Sequence, residues 1–270
     1  MSKASGTARI TAPDQDMHLW VCHPDLTEEN QDGLVTDELD AKEHKRAAAF
    51  IRPNDRLTYL SAHIALRRLL SAYTGIAPGL LKFGRDACPC CDRPHGRPVL
   101  LDSPIPLHFS LSHSHGVVLI GIATSTVGID VQRVPSLETT DLCSPDLHPV
   151  EQKELAAIEK ATDRQLAFGR LWTRKEAYFK GLGTGLGREL SADYLGTDES
   201  EDAPERPEGW IVQNLPSCPA HVAASALLTD GPHEITARFV TMEMLTAADA
   251  LELIAAEPPM CSDYEPSADR

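Results

Sequence analysis

Apolar positions along the chain switch between a period of two and a helical period. His18-Leu-Trp-Val-Cys-His23 alternates as a first strand closed by Pro24. Asp37 to Arg46 reads as a charged helix. After Phe50-Ile-Arg-Pro53 a longer helix runs to Tyr73, with Asp55 as its N-cap, Leu57, Leu60, Ile64, Leu66, Leu69 and Leu70 on its apolar side, and Gly75 as its stop. Leu107–His113 and Gly116–Ala123 are strand-like runs joined by a short polar turn, and Val127–Arg133 is a third run interrupted by Asp130. Ser136 to Pro149 is polar and proline-punctuated, Val150 to Ala161 is an acidic helix, and Arg164 to Lys180 is a second long helix. Trp210–Gln213, His221–Leu228 and Ile235–Val240 predict three antiparallel strands, and Ala247–Ala256 a short helix. Both halves place helix before short strands without a visible sequence repeat, a pattern compatible with a duplicated α+β fold. The expected division is a loose lead-in over 1–17, α+β subdomains over 18–125 and 126–245, and over 246–270 a short helix with an acidic, disordered tail.

The helix Leu171-Trp-Thr-Arg-Lys-Glu-Ala-Tyr-Phe-Lys180 departs from this pattern, because its charges fall where apolar groups should be buried. Phe168, Leu171, Trp172, Lys175 and Phe179 share one stripe, with Glu176 and Lys180 beside it. Two readings are open. Glu176 and Lys180 form an i,i+4 ion pair worth ~0.3–0.5 kcal/mol while Lys175 snorkels past the core, or a carboxylate flanked by ammoniums holds a metal and a polyphosphate together.

Composition narrows the choice. The 270 residues are 42% hydrophobic, enough for one large or two smaller domains. No window approaches the ~18–20 apolar residues of a membrane helix, and the first residues lack the apolar core of a secretory signal, so a cytoplasmic location is expected. The net charge of −15 argues against broad affinity for nucleic acid or an anionic membrane. Lys42 to Arg68 is nevertheless a basic island able to bind a small anion. Its Lys45, Arg46, Arg52, Arg56, Arg67 and Arg68 each read as ordinary surface.

The 7 cysteines do not form a disulfide framework and read as reduced thiols. Cys88-Pro-Cys-Cys-Asp-Arg-Pro-His95 offers soft zinc ligands, Cys88, Cys90, Cys91 and His95, but no second cysteine pair follows. An irregular loop closed by His95-Gly-Arg-Pro98 is the reading preferred. Ser112 and His113 stand at the edge of a turn. Asp130 and Gln132 project from one strand face as hard-cation oxygen donors or as solvent-facing residues. Gly181–Gly187 lacks the spacing of a dinucleotide fingerprint and reads as a flexible turn.

Taken in order, Gly96-Arg-Pro98, Phe109-Ser-Leu-Ser-His113, Gly128-Ile-Asp-Val131 and Trp172-Thr-Arg-Lys-Glu-Ala-Tyr-Phe-Lys180 resemble the signature series of the 4′-phosphopantetheinyl transferases, most closely the single-chain Sfp-type members. The likeness spans about residues 18 to 245. It implies two similar α+β subdomains related by a pseudo-twofold, with coenzyme A and Mg²⁺ (Mn²⁺ as a substitute) in the cleft between them. The implied reaction moves phosphopantetheine from coenzyme A to a serine of an acyl or peptidyl carrier protein of fatty-acid, polyketide or nonribosomal peptide synthesis, releasing 3′,5′-ADP. By motif, Asp130, Gln132 and Glu176 resemble the metal positions, and Lys175 and Lys180 the lysines near the pyrophosphate. Ser112 and His113 are similar to the contact near the 3′-phosphate, Gly96, Arg97 and Pro98 to the adenine-side loop, and Arg46 to a basic phosphate contact. Glu176 and Lys180 are then the catalytic candidates.

Gln132 departs from the glutamate that many bacterial members carry there, so a weaker hold on Mg²⁺ is expected. Other readings are a carrier-protein binding module with impaired catalysis, a zinc-dependent binding module, and a metal-dependent nuclease that the acidic charge disfavours. Length and apparent duplication favour a monomer.

Overall fold

The computed structural model describes residues 9–24, 33–196, 203–218 and 220–256. Of the expected lead-in, residues 1–8 lie outside them, as does the acidic tail from residue 257 on. The described residues form two compact units: those within 9–84, 98–125 and 233–256 make the first, and those within 85–97 and 126–232 the second. The α+β class expected from the sequence holds. No helix of the described residues is long and apolar enough to cross a membrane.

The first unit is built on a four-stranded sheet ordered β4-β5-β1-β9: β1 (Met17–Cys22), β4 (His108–Ser114), β5 (Val117–Ala123) and β9 (Ile235–Val240). β5 is buried throughout, as its unbroken apolar run requires. Helix α1 (Ala41–Ala48) opens on a capping box, Asp40 accepting from the Lys42 and Glu43 amides while the Asp40 N–H donates to Glu43 Oε2 at 2.7 Å. Helix α2 (Pro53–Thr74) starts earlier than expected, with Pro53 rather than Asp55 at its head, where the missing N–H costs nothing. It ends on Gly75 at φ 71°. Its residues Leu57, Ile64, Leu69 and Leu70 join Trp20, Ile120 and Ile122 in one core.

Two expectations are corrected in this unit. Ile235–Val240 is not the third strand of the second subdomain: it pairs in parallel with β1, from Met17↔Ile235 to Cys22↔Val240. Short helices α6 (Glu243–Thr246) and α7 (Ala250–Ala255) follow it and bury Leu245 and Ile254 in the same core, so this stretch belongs to the first unit rather than to a tail. The other correction concerns Arg67 and Arg68, which are only 1% and 2% exposed. Arg67 meets Glu43 at 2.7 Å, and Arg68 meets Glu38 at 2.8 Å and donates to the Met244 carbonyl at 2.8 Å. Burying a guanidinium requires such partners.

A two-stranded ribbon pairs β2 (Lys82–Arg85) with β3 (Pro98–Leu101). In the second unit β6 (Val127–Arg133), β8 (His221–Leu228) and β7 (Trp210–Leu215) form an antiparallel sheet in that order. Short helices α3 (Leu137–Cys143) and α4 (Pro149–Ala156) precede the long α5 (Ala161–Leu182), which ends on Gly183 at φ 79°. Gly181, expected to stop this helix, lies inside it because Trp210 packs on its bare Cα: a Cβ there would stand 2.6 Å from the indole.

Candidate active site

The site in the second unit begins with a missing side chain. A Cβ on Gly128 would lie 1.8 Å from the Ala177 carbonyl oxygen and 2.7 Å from the Gly181 nitrogen, so β6 and α5 are in backbone contact. That approach sets the next residues of β6 against the last turns of α5. Lys180 Nζ donates to the Ile129 carbonyl at 3.1 Å and to Asp130 Oδ1 at 2.6 Å. Asp130 is only 1% exposed. Glu176, one helical turn before Lys180, is half-buried beside it. Burial first, and then the Asp130 charge, push the Glu176 carboxyl above the usual range, while Lys180 pulls the other way. The structure thus brings together Asp130, Glu176 and Lys180. Gln132 shares the strand face of Asp130 and is also half-buried.

Lys175 stands apart from Asp130, Glu176 and Lys180. Its side chain is 0% exposed and meets the equally buried Glu151 at 2.8 Å, and its ammonium also donates to the Asp193 carbonyl at 2.7 Å. Adjacent helix positions face about 100° apart, from 3.6 residues per turn. With Glu176 toward Asp130, Lys175 points into the core. Burial lowers its pKa and Glu151 pushes back. Sequence reasoning missed Glu151, which also accepts from the Leu195 amide at 2.7 Å and the His148 amide at 3.0 Å. Its signal was only that of a capping glutamate three residues after His148.

Gly96 and Arg97 lie in the loop of the second unit. Gly96 is required by space, since a Cβ would sit 2.7 Å from the Asp86 carbonyl oxygen. Arg97 donates to Asp86 Oδ2 at 2.8 Å and to Thr126 Oγ1 at 2.7 Å, and Pro98 is exposed at the head of β3. In the first unit Ser112 is buried and His113 exposed on β4. His113 stands edge-on to Tyr59 at 6.4 Å, Tyr59 packs on Phe50 at 5.3 Å, and the Arg46 guanidinium lies over the Phe50 ring at 5.3 Å. Arg46 and His113 therefore belong to one aromatic string. Tyr59, and His63 whose ring packs on it at 4.1 Å, were not singled out from the sequence.

A family model described as the 4′-phosphopantetheinyl transferase superfamily matches residues 126–224. The 4′-phosphopantetheinyl transferase HetI of Nostoc sp. is similar to this chain, 30% identical over 183 residues that cover 66% of this chain and 73% of HetI. The chain belongs to the 4′-phosphopantetheinyl transferase family. It is also similar to a Synechocystis sp. protein that carries the same name provisionally, 31% identical over 57% of this chain and 60% of that one. The 4′-phosphopantetheinyl transferase Sfp of Bacillus subtilis is 23% identical over 59% of this chain and 73% of its own length. As a 4′-phosphopantetheinyl transferase family member the chain is an enzyme. The matched segment contains Gly128, Asp130, Gln132, Glu151, Lys175, Glu176 and Lys180, whereas Arg46, Gly96–Pro98 and His113 precede it.

Proposed function

We propose that this enzyme transfers the 4′-phosphopantetheine group of coenzyme A to a serine of an acyl or peptidyl carrier protein, in a Mg²⁺-dependent reaction that releases 3′,5′-ADP. The observation that carries the reading is the convergence of Asp130, Glu176 and Lys180 where α5 touches β6. The carboxylates of Asp130 and Glu176 fit a hard divalent cation: they offer oxygen only, and a cation between them would offset both the burial and the Asp130 charge that raise Glu176. Asp130 and Glu176 would hold the Mg²⁺, with the Gln132 amide oxygen available on the same strand face. When bound, the ion supplies charge neutralisation at the diphosphate.

The protein's own groups account for the rest. Glu176 is assigned to take the proton of the attacking serine hydroxyl. Lys180 is anchored on Asp130 Oδ1 and the Ile129 carbonyl, so its charge is fixed in advance of the diphosphate rather than recruited by it. Arg46 and His113, with Ser112 on the same strand as His113, are assigned to a phosphate of the coenzyme, and Gly96, Arg97 and Pro98 to its adenine side. Lys175 supports this arrangement from within the core.

The test is to mix purified protein with an apo carrier protein, coenzyme A and Mg²⁺ and follow the carrier's intact mass. One added phosphopantetheine group, absent in EDTA and absent with Glu176→Ala, is the expected result. No addition to any of several carriers, despite coenzyme A binding, would replace the transferase reading with a carrier-binding module.

A further inference from the structure

The cysteine loop of the second unit is not used by this chemistry, and its geometry points to a separate metal. We infer that Cys88, Cys91 and His95 bind a thiophilic divalent ion, Zn²⁺, as a clip on the loop that leads into Gly96 and Arg97. One ligand atom from each of the three lies within 4.8 Å of the others, and this is the one such His, Cys, Asp or Glu group of three or more among the described residues. Tetrahedral Zn²⁺ with Zn–S ~2.3 Å and Zn–N ~2.0 Å requires separations of roughly 3.5–3.8 Å, which small side-chain rotations here would reach. Cys91 Sγ and His95 Nε2 stand 2.9 Å apart, a hydrogen-bond contact that a bound ion would widen.

The backbone is wound for this. The Cys91 and Asp92 amides both donate to the Cys88 carbonyl, at 3.2 and 2.8 Å, and the Cys88 amide donates back to the Arg93 carbonyl at 2.8 Å. Asp92 adopts φ 58°, in the left-handed region that a non-glycine residue enters only when the turn demands it. Cys88 is buried while Cys91 and His95 are exposed, so the ion would enter from solvent. Cys90 is outside the group of three, although its thiol also meets that of Cys88, and the fourth position is assigned to water.

Ligand softness separates this site from the oxygen-only cluster of Asp130 and Glu176. Its consequence is local. Arg97, two residues past His95, is tied to Asp86, Thr126 and, at 3.5 Å, the Gly181 carbonyl at the end of α5. A clip on the loop would hold that arginine in place.

The test is metal analysis of the full chain purified under reducing conditions, with Co²⁺ exchange as a spectroscopic readout. The expected result is about one Zn²⁺ per chain and, with Co²⁺, a thiolate charge-transfer band with the intense visible bands of four-coordination. Cys91→Ser and His95→Ala, both at exposed positions, should lose most of the metal, while Cys90→Ser and Glu176→Gln should keep it. Wild-type protein that neither retains Zn²⁺ nor gives a thiolate band on adding Co²⁺ would overturn the proposal. So would equal metal in Cys91→Ser and wild type, loss of metal in Cys90→Ser, or a disulfide between Cys88 and Cys91 that resists reduction.

Discussion

Helices α2 and α5 are each 22 residues long, each ends on a left-handed glycine, and each packs on a largely antiparallel sheet, yet they handle charge in opposite ways. In the first unit the buried charges of α2 are matched: Arg67 with Glu43, Arg68 with Glu38 and two carbonyls. Burial pushes Glu43 up, but His63 and Arg67 outweigh it and hold the carboxyl at about 2. In the second unit α5 also carries matched charges, Lys175 with Glu151 and Lys180 with Asp130, but between them stands Glu176, whose carboxyl is pushed up by burial and by Asp130. The lowered glutamate stabilises its unit above the ordinary carboxylate range, and that contribution fades as pH falls toward 2. The raised one works the other way, its contribution present at low pH and lost as pH rises through its folded value. A helix that carries a cost at neutral pH is the candidate for chemistry, whereas the charges of its counterpart serve packing.

The contrast can be broken at its base. Gly128→Val puts a side chain into the Ala177 backbone, where nothing flexible can yield. The second unit should lose ~3 kcal/mol or more in urea unfolding, and transfer should disappear with it. Next in size are the matched charges. Lys175→Met and Arg68→Met each strand a buried carboxylate or carbonyls, and each should cost ~3–5 kcal/mol. Adding Glu151→Gln to Lys175→Met should recover part of the loss, and transfer per folded molecule should survive in both single variants. A collapse of transfer in Lys175→Met without loss of stability would return that lysine to the diphosphate. Smallest is Gln132→Glu, which adds a third carboxylate to the cation site. It should lower the Mg²⁺ concentration for half-maximal transfer by about tenfold if the added charge is worth ~1.4 kcal/mol, with little change in stability. An unchanged Mg²⁺ dependence would show that position 132 is not a ligand.

Much of this arrangement was legible in the chain, because it depends on local period. The stripe of Phe168, Leu171, Lys175 and Phe179 is buried as its spacing demands, and Glu176 and Lys180 flank it as expected. What the sequence hid was long-range pairing. Arg67 and Arg68 look like surface until Glu43 and Glu38 fold back onto them. Lys175 looks available for a phosphate until Glu151 is seen beneath it. Strand β9 follows two antiparallel strands and reads as their continuation, but its partner is β1, near the start of the chain. Gly128 shows why glycine in a strand carries information that no periodicity reveals. Its meaning lies in the helix pressed against it.

The most direct test of the division between the two helices is Glu176→Gln, measured for transfer and for unfolding on the same preparation. Loss of transfer by a factor of ~10² or more is the expected result, since this side chain is given the proton-transfer role. Stability at neutral pH should be unchanged or higher, and the gap from wild type should close as pH falls below the ordinary glutamate value of ~4.3. Wild-type transfer in this variant, or a loss of transfer that only tracks unfolding, would contradict the account.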